Sequence, residues 1–302
     1  MLVHKPMSAH KHKLIAVSIV GGLVSSIAVA LSVYARLPQP ALPELVKLNQ
    51  GEVFYQKSGE FTQSGNAVDP PRVRISLPEP IEVMKYQVTS ADYQRCVDDL
   101  ACQPLDGRFS PLSADRPAVD LSWHDADSYA VWLSQKSGET FRLPTDEEWI
   151  FAAGERIVAD ERNDGGDEKD HASSLLPAFY AFSPKTFGLG TFGSNRNGIF
   201  DIAGNVWEWT STCMVRRSLD SNGTVTSENT NCGVRVAEGR HRAYIMDILR
   251  DPRASGCVGI PPTHLGFRLV HEQRSRESWI RTARRALFSI LSPSHTAEPA
   301  KT

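Results

Sequence analysis

The 302-residue sequence shows no surplus of charge of either sign, no internal repeat and no dense cysteine framework. Lys and Arg number 33 against 35 Asp and Glu, so the overall balance gives no ground for a nucleic-acid partner, and none is expected. Nine histidines, among them His124, His171, His241 and His264, occur without a metal-ligand spacing such as His-Glu-x-x-His, and a lone His is more often a surface or satisfied residue. The charged, Gly-containing stretch from Glu155 to Lys169 lacks the fixed odd-position acids and closing Glu of an EF-hand, and reads as a surface loop. Cysteines number five, so at least one stands outside any internal pairing.

One long apolar run is present. Leu14 to Ala35 carries no charge and is long enough to cross a bilayer. Lys5, Lys11 and Lys13 precede it and a single Arg36 follows, which keeps residues 1–13 in the cytoplasm and sends the rest of the chain across the membrane. Its length exceeds the apolar region of a cleavable signal, about 7 to 15 residues, and favours an anchor. Val33-Tyr34-Ala35 before Arg36 is nevertheless a passable cleavage site, so residues 14–35 are a transmembrane anchor or a signal sequence. The expected location is the periplasm, tethered to the inner membrane.

Export changes how the cysteines read. Cys96 and Cys102 are placed to clip a helix end to its loop in an oxidising compartment, and Cys213 and Cys232 flank a polar excursion and form the second candidate bridge. Spacing does not prove connectivity, and Cys257 is left over.

Pro38, Pro40 and Pro43 give residues 36–48 the character of a stiff linker, with the globular part beginning near Asn49. Val53-Phe54-Tyr55 and Val73, Ile75 and Leu77 read as short strands. Thr89 or Ser90 caps a helix that presents Tyr93, Val97 and Leu100 at helical spacing. A second helix presents Ala126, Tyr129, Ala130 and Leu133, with Gly138 at its C-terminal cap. In a third, Thr145 and Glu148 have capping-box spacing, Asp146 and Glu147 favour the positive helix end, and Gly154 terminates it. A strand in "HLGFRLVHE" closes the domain near Glu272. Residues 273–302 form a basic amphipathic helix and a disordered tail, the helix having Trp279, Ile280, Ala283, Leu287 and Leu291 on one stripe. It lies either on an anionic membrane surface or against protein.

Three motifs in order, "VDLSWHDADSYAVWLS", "FRLPTDEEWIFAAG" and "NGIFDIAGNVWEWT", followed by "LGFRLV", resemble the sulfatase-modifying-factor family that includes the formylglycine-generating enzyme. The resemblance spans most of residues 49–272. It implies an α+β, C-type lectin-like fold, low in regular secondary structure, here with an N-terminal transmembrane helix. It also implies a structural calcium ion held by the side chains of Asp201 and Glu208 and the carbonyls of Gly204 and Val206, a donor set suited to a hard cation.

The formylglycine-generating enzyme holds copper(I) with two nearby cysteines, and soft thiolates suit that ion. The matching segment here is "CGVRVAEGRHRAYIMDILRDPRASGC". One register puts Arg240 and Ile245 at the two ligand positions; another puts Gly239 and Arg240 on the family's Gly-Gly pair. In both, no cysteine lies between Gly233 and Gly256, so no copper is expected. The iron-binding helical domain of the sulfoxide-synthase branch is also missing. Arg240, His241, Arg242 and Tyr244 are the pocket candidates, their basic and aromatic character suiting a carboxylate or phosphate. Arg250, Arg253 and Arg268 read instead as structural partners of acids.

The catalytic residues are left unassigned. The expectation is an accessory or maturation factor for a periplasmic protein partner, an oxidoreductase by class, as in the family branch that accompanies copper nitrite reductase. The alternative is an oxidoreductase of the same family that modifies a protein or peptide without a copper dithiolate.

Overall fold

The computed structural model describes residues 42–105, 113–157, 186–251 and 264–272. The apolar run at 14–35, Arg253, Cys257 and the expected helix in 273–302 lie outside the described residues. Among the described residues no helix is long and apolar enough to cross a membrane.

Among the described residues, regular structure is present before Asn49. Leu45–Leu48 (β1) is a strand with Leu48 buried, and it pairs antiparallel with Ile81–Met84 (β6). The expected linker at 36–48 is therefore part of a sheet from Leu45 onward, because Leu45, Val46 and Leu48 have apolar partners to pack on. Val270–Glu272 (β12) inserts between β6 and Thr140–Arg142 (β7), giving the order β1-β6-β12-β7. The two strands expected around Val53 and Ile75 are Gly51–Gln56 (β2) and Arg72–Leu77 (β5), which pair only with each other.

The largest sheet is built on a long hairpin of Trp207–Leu219 (β8) and Val225–Glu238 (β9). Ala243–Met246 (β10) extends it on the β9 side, while Glu60–Gln63 (β3) and Asn66–Val68 (β4) extend it on the β8 side. Leu265–Gly266 (β11) adds to β8 in parallel, where a Cβ on Gly266 would lie 2.9 Å from the Ala118 carbonyl oxygen. The expected closing strand is thus two short ones. Phe267 to Leu269 between them are wholly buried and leave regular pairing, so that successive side chains enter different parts of the interior.

Three helices follow their sequence signals closely. Ser90–Asp98 (α1) has Thr89 as its N-cap, accepting from the Asp92 amide. Leu100 is the exception to the expected apolar face: the helix has ended, its φ is +59°, and its side chain is exposed. Trp123–Ser137 (α2) is capped reciprocally by Ser122 and Asp125 and stopped by left-handed Gly138. Asp146–Ala153 (α3) carries the expected Thr145–Glu148 capping box and ends at Gly154.

The interior has two apolar clusters. One gathers α1, α2, Trp207, Trp209 and Phe267; the other gathers Trp149, Ile199, Ile202 and Val270 beneath β2 and β5. Both expected bridges are formed, Cys96–Cys102 behind α1 and Cys213–Cys232 between β8 and β9.

Candidate functional site

Each side chain of the Arg142–Trp149 motif has an assignable task. Arg142 grips Glu148 through two guanidinium nitrogens at 2.6 and 2.7 Å and reaches Glu272 at 2.6 Å with its Nε. Burial alone would raise the Glu148 carboxyl, and the Arg142 pair more than offsets it, holding the pKa below its usual value. Asp146, the first residue of α3, exchanges hydrogen bonds with Thr212: its amide donates to Oγ1 at 2.9 Å, and Oγ1 donates to Oδ1 at 2.8 Å. Glu147 accepts from the Tyr55 hydroxyl at 3.3 Å, and Trp149 turns inward to donate to Glu208 at 2.8 Å.

Glu208 is the centre of this interior. Its Oε1 accepts from Gln87 Nε2 at 2.7 Å and Arg268 Nη2 at 2.8 Å; its Oε2 accepts from Trp149 Nε1 at 2.8 Å and Arg268 Nε at 2.6 Å. Arg268 and Glu208 are both fully buried, and the guanidinium also caps the carbonyls of Met84, Lys85 and Phe200. Four donors occupy four carboxylate lone-pair positions.

The loop leading to Glu208 is held in a costly conformation. Asp201, Ala203 and Asn205 have φ of +56°, +58° and +55°, a region that costs an L-residue such as Ala about 1–2 kcal/mol and that Asp and Asn enter more readily. Side chains compensate at two of them. The Asp201 carboxylate accepts from the Gly190 and Phe192 amides, and Asn205 makes a two-way amide pair with the Phe187 backbone at 2.9 Å on each side. Burial raises the Asp201 carboxyl, with those two amides opposing. Trp207-Glu208-Trp209 then enter β8 buried on both faces, Trp207 donating to the His241 carbonyl and Trp209 to that of Leu121. The tryptophans seal the core, and the turn before them is stabilised by amide and carboxylate contacts.

The donor set expected for calcium does not fit that ion as folded. Glu208 has its lone pairs filled by Arg268, Trp149 and Gln87, and Asp201 accepts from two amides, so a cation at Asp201, Gly204, Val206 and Glu208 would have to displace protein donors. Among the described residues no group of three or more His, Cys, Asp or Glu side chains converges as a metal site.

Arg242 and Tyr244 stand together over the Asp146 end of α3; Arg240 and His241 occupy the turn before them. Arg242 binds Glu238 with Nε at 2.6 Å and the Gln56 carbonyl with Nη1 at 2.7 Å, and its guanidinium lies 5.4 Å from the Tyr55 ring centre. Tyr244 accepts from the Gly59 amide at 2.6 Å. His241 packs its ring edge-on to Trp207. Arg240 is half-buried, and burial lowers its pKa. The nearby Gly239 is required, since a Cβ there would fall 2.6 Å from Trp207 Cδ1.

The acids of this cluster were not singled out in the sequence. Glu238 is buried, and burial pushes its carboxyl up to about 7, Arg242 opposing and Asp146 adding to the rise. Asp146 is buried too, and its Oδ2 has no hydrogen-bond partner among the described residues. Burial also raises the phenols of Tyr55 and Tyr244, with the Asp146 charge contributing to both. In the sequence, Asp146 reads as a helix-start acid and as one of the acids open to an arginine, and no motif marks Glu238. The available signal was an acid in an otherwise apolar inner strand end, Val236-Ala237-Glu238, four residues before an Arg. Arg250 and Arg268 bear out their structural reading: Arg250 pairs with Asp125 at 2.7 Å and Arg268 with Glu208.

Among the described residues, three sheets, few helices and motif side chains spent on one buried ion pair define a mixed α+β domain whose sequence signature serves its architecture. The chain belongs to the family of the sulfatase-modifying factor enzyme 1-like domain, whose family pattern matches residues 32–273. It is 32% identical over 192 residues to the formylglycine-generating enzyme of Mycobacterium tuberculosis, covering 54% of this chain and 60% of that one. It is 33% identical over 113 residues to the inactive C-alpha-formylglycine-generating enzyme 2 of Mus musculus, covering 32% of each. The match thus spans less than two thirds of the length of these relatives. PvdO from Pseudomonas aeruginosa shares the fold, with a TM-score of 0.50 at 19% identity, over 76% of this chain and 95% of that one.

Proposed function

We propose that the chain is an exported accessory or maturation factor of the formylglycine-generating-enzyme-like family. It serves a periplasmic partner protein, an oxidoreductase by class, from the inner membrane, and does not itself generate formylglycine. The cysteine distribution carries this reading. Cys96–Cys102 and Cys213–Cys232 are bridged and no cysteine lies between Gly233 and Gly256, so the family's closely spaced copper-binding pair is not present in that segment and Cys257 is the one cysteine outside a bridge.

The test is to incubate the full-length chain with copper(I), dioxygen, a reductant and a cysteine-containing sulfatase peptide, then look for the aldehyde with a hydrazide probe and by mass spectrometry. No aldehyde is expected beyond a no-protein control. Aldehyde formation that depends on Cys257 would overturn the proposal.

A second reading rests on the cluster of Asp146, Glu238, Arg242, Tyr55 and Tyr244. A carboxyl near 7 beside a guanidinium and two phenols can hold or release a proton at neutral pH. This favours an oxidoreductase acting on a protein or peptide without a copper dithiolate. Glu238→Gln separates the two: an accessory role survives it, whereas chemistry that uses this proton is lost while the fold is retained.

A further inference from the structure

The two disulfides have different surroundings. Cys96 and Cys102 are 0% and 7% exposed, enclosed behind α1. Cys232 is exposed on β9, and Cys213 is half-buried on β8. Beside Cys213 stands Arg235, whose Nη1 lies 3.1 Å from Cys213 Sγ and 2.8 Å from the Ser211 carbonyl. Its guanidinium is stacked on the Trp123 ring at 3.9 Å, its Nε has no hydrogen-bond partner among the described residues, and no carboxylate there lies within ion-pair distance of it. Asp247 and Asp127 act on it only at longer range, and burial depresses its pKa. A cation fixed against one sulfur without a paired carboxylate is placed to favour negative charge on that sulfur.

The strand pairing supports the same reading. The ladder between β8 and β9 shifts register on both sides of Cys213, from Trp209 to Cys213 and again from Cys213 to Met214. Below it, Met214 to Leu219 remain paired with Asn231 to Val225. Cys213 lies opposite Arg235, and Cys232 falls in the stretch between Asn231 and Arg235 that β8 leaves unpaired, so when the disulfide opens the paired ribbon below keeps the two sulfurs near each other.

We propose that Cys213–Cys232 is a thiol–disulfide exchange site, in which an incoming cysteine-type thiolate attacks the exposed Cys232 Sγ and Cys213 departs as a thiolate held by Arg235. The substrate sulfur forms a bond to Cys232 Sγ as the Cys213–Cys232 bond breaks, and Cys213 Sγ takes the electron pair. A second thiolate resolves the mixed disulfide. Two substrate thiols are then oxidised to one disulfide as the protein pair is reduced to two thiols. This inference does not rest on the accessory role, and either can fail without the other.

The experiment uses the full-length chain with Cys257→Ser in every sample, so that only the two bridges are read. Samples are exposed to reduced glutathione or to a short cysteine-containing peptide at equal thiolate concentration, quenched with acid and N-ethylmaleimide, and peptide-mapped. The expected product is an adduct on Cys232 with Cys213 alkylated and Cys96–Cys102 intact. A faster reaction of the peptide assigns a polypeptide substrate; a faster reaction of glutathione assigns a small-molecule thiol. Arg235→Gln is expected to slow adduct formation on the order of tenfold and raise the Cys213 thiol pKa in the reduced protein, with Arg235→Lys restoring part of both. An adduct first on Cys213 or on the Cys96–Cys102 pair, no adduct at all, or an unchanged rate and thiol pKa in Arg235→Gln would each overturn the proposal.

Discussion

At the scale of single residues, the energetics turn on two buried carboxylates with opposite arrangements. Glu208 is fully paired, so removing one partner leaves a desolvated charge. Arg268→Ala and Glu208→Ala are each expected to cost about 3–5 kcal/mol in denaturant unfolding, while an apolar replacement of both costs much less than their sum. Additive losses would show that the pair is not coupled. Glu238 is the reverse case, because burial raises its carboxyl from an ordinary value of 4.5 to about 7, and the folded state binds a proton more tightly than the unfolded one. Its contribution to stability is present below about pH 4.5 and lost as pH rises through about 7. Glu238→Gln should therefore gain stability relative to the wild type as pH is raised across that window, read as a Tm difference measured at each pH. A difference independent of pH would contradict it.

At the scale of elements, the helices were legible and the irregular segments were not. The start and stop of α2 and α3 were written in local signals, Ser122 to Asp125, Thr145 to Glu148, Gly138 and Gly154, and a cap acts within one turn of chain. Thr145→Ala should accordingly destabilise by about 0.5–2 kcal/mol in denaturant unfolding, the loss including the Glu148 amide contact. A loss near zero would mean that Arg142 alone fixes the helix start. The left-handed residues Asp201 and Asn205 had no such local signal, since what stabilises them comes from Gly190, Phe192 and Phe187. The same holds for β1, whose proline-rich approach suggested a linker and whose partner β6 lies far along the chain. Of the candidate site, the basic half (Arg242, Tyr244) was visible as a dense run. Its acidic half was hidden, because the meeting of Asp146 with Glu238 depends on the packing of α3 against β9.

At the scale of the whole molecule, the buried centre among the described residues is the Glu208–Arg268 ion pair with its neighbours, whose donors already occupy the Glu208 carboxylate. Chelation is therefore expected to leave Tm unchanged in the full chain, and elemental analysis should find no calcium that depends on Glu208. A clear fall in Tm on adding chelator, restored by calcium, would show that the loop rearranges around an ion. Arg268 and β12 have a further consequence in time. The partner of Glu208 and the strand between β6 and β7 both come from the last few residues of the domain. A chain being synthesised from its N-terminus therefore lacks the guanidinium that pairs with Glu208, and the strand that fills its first sheet, until almost the whole domain has emerged. A nascent or truncated chain ending before Arg268 is therefore missing contacts at its centre as well as at its edge.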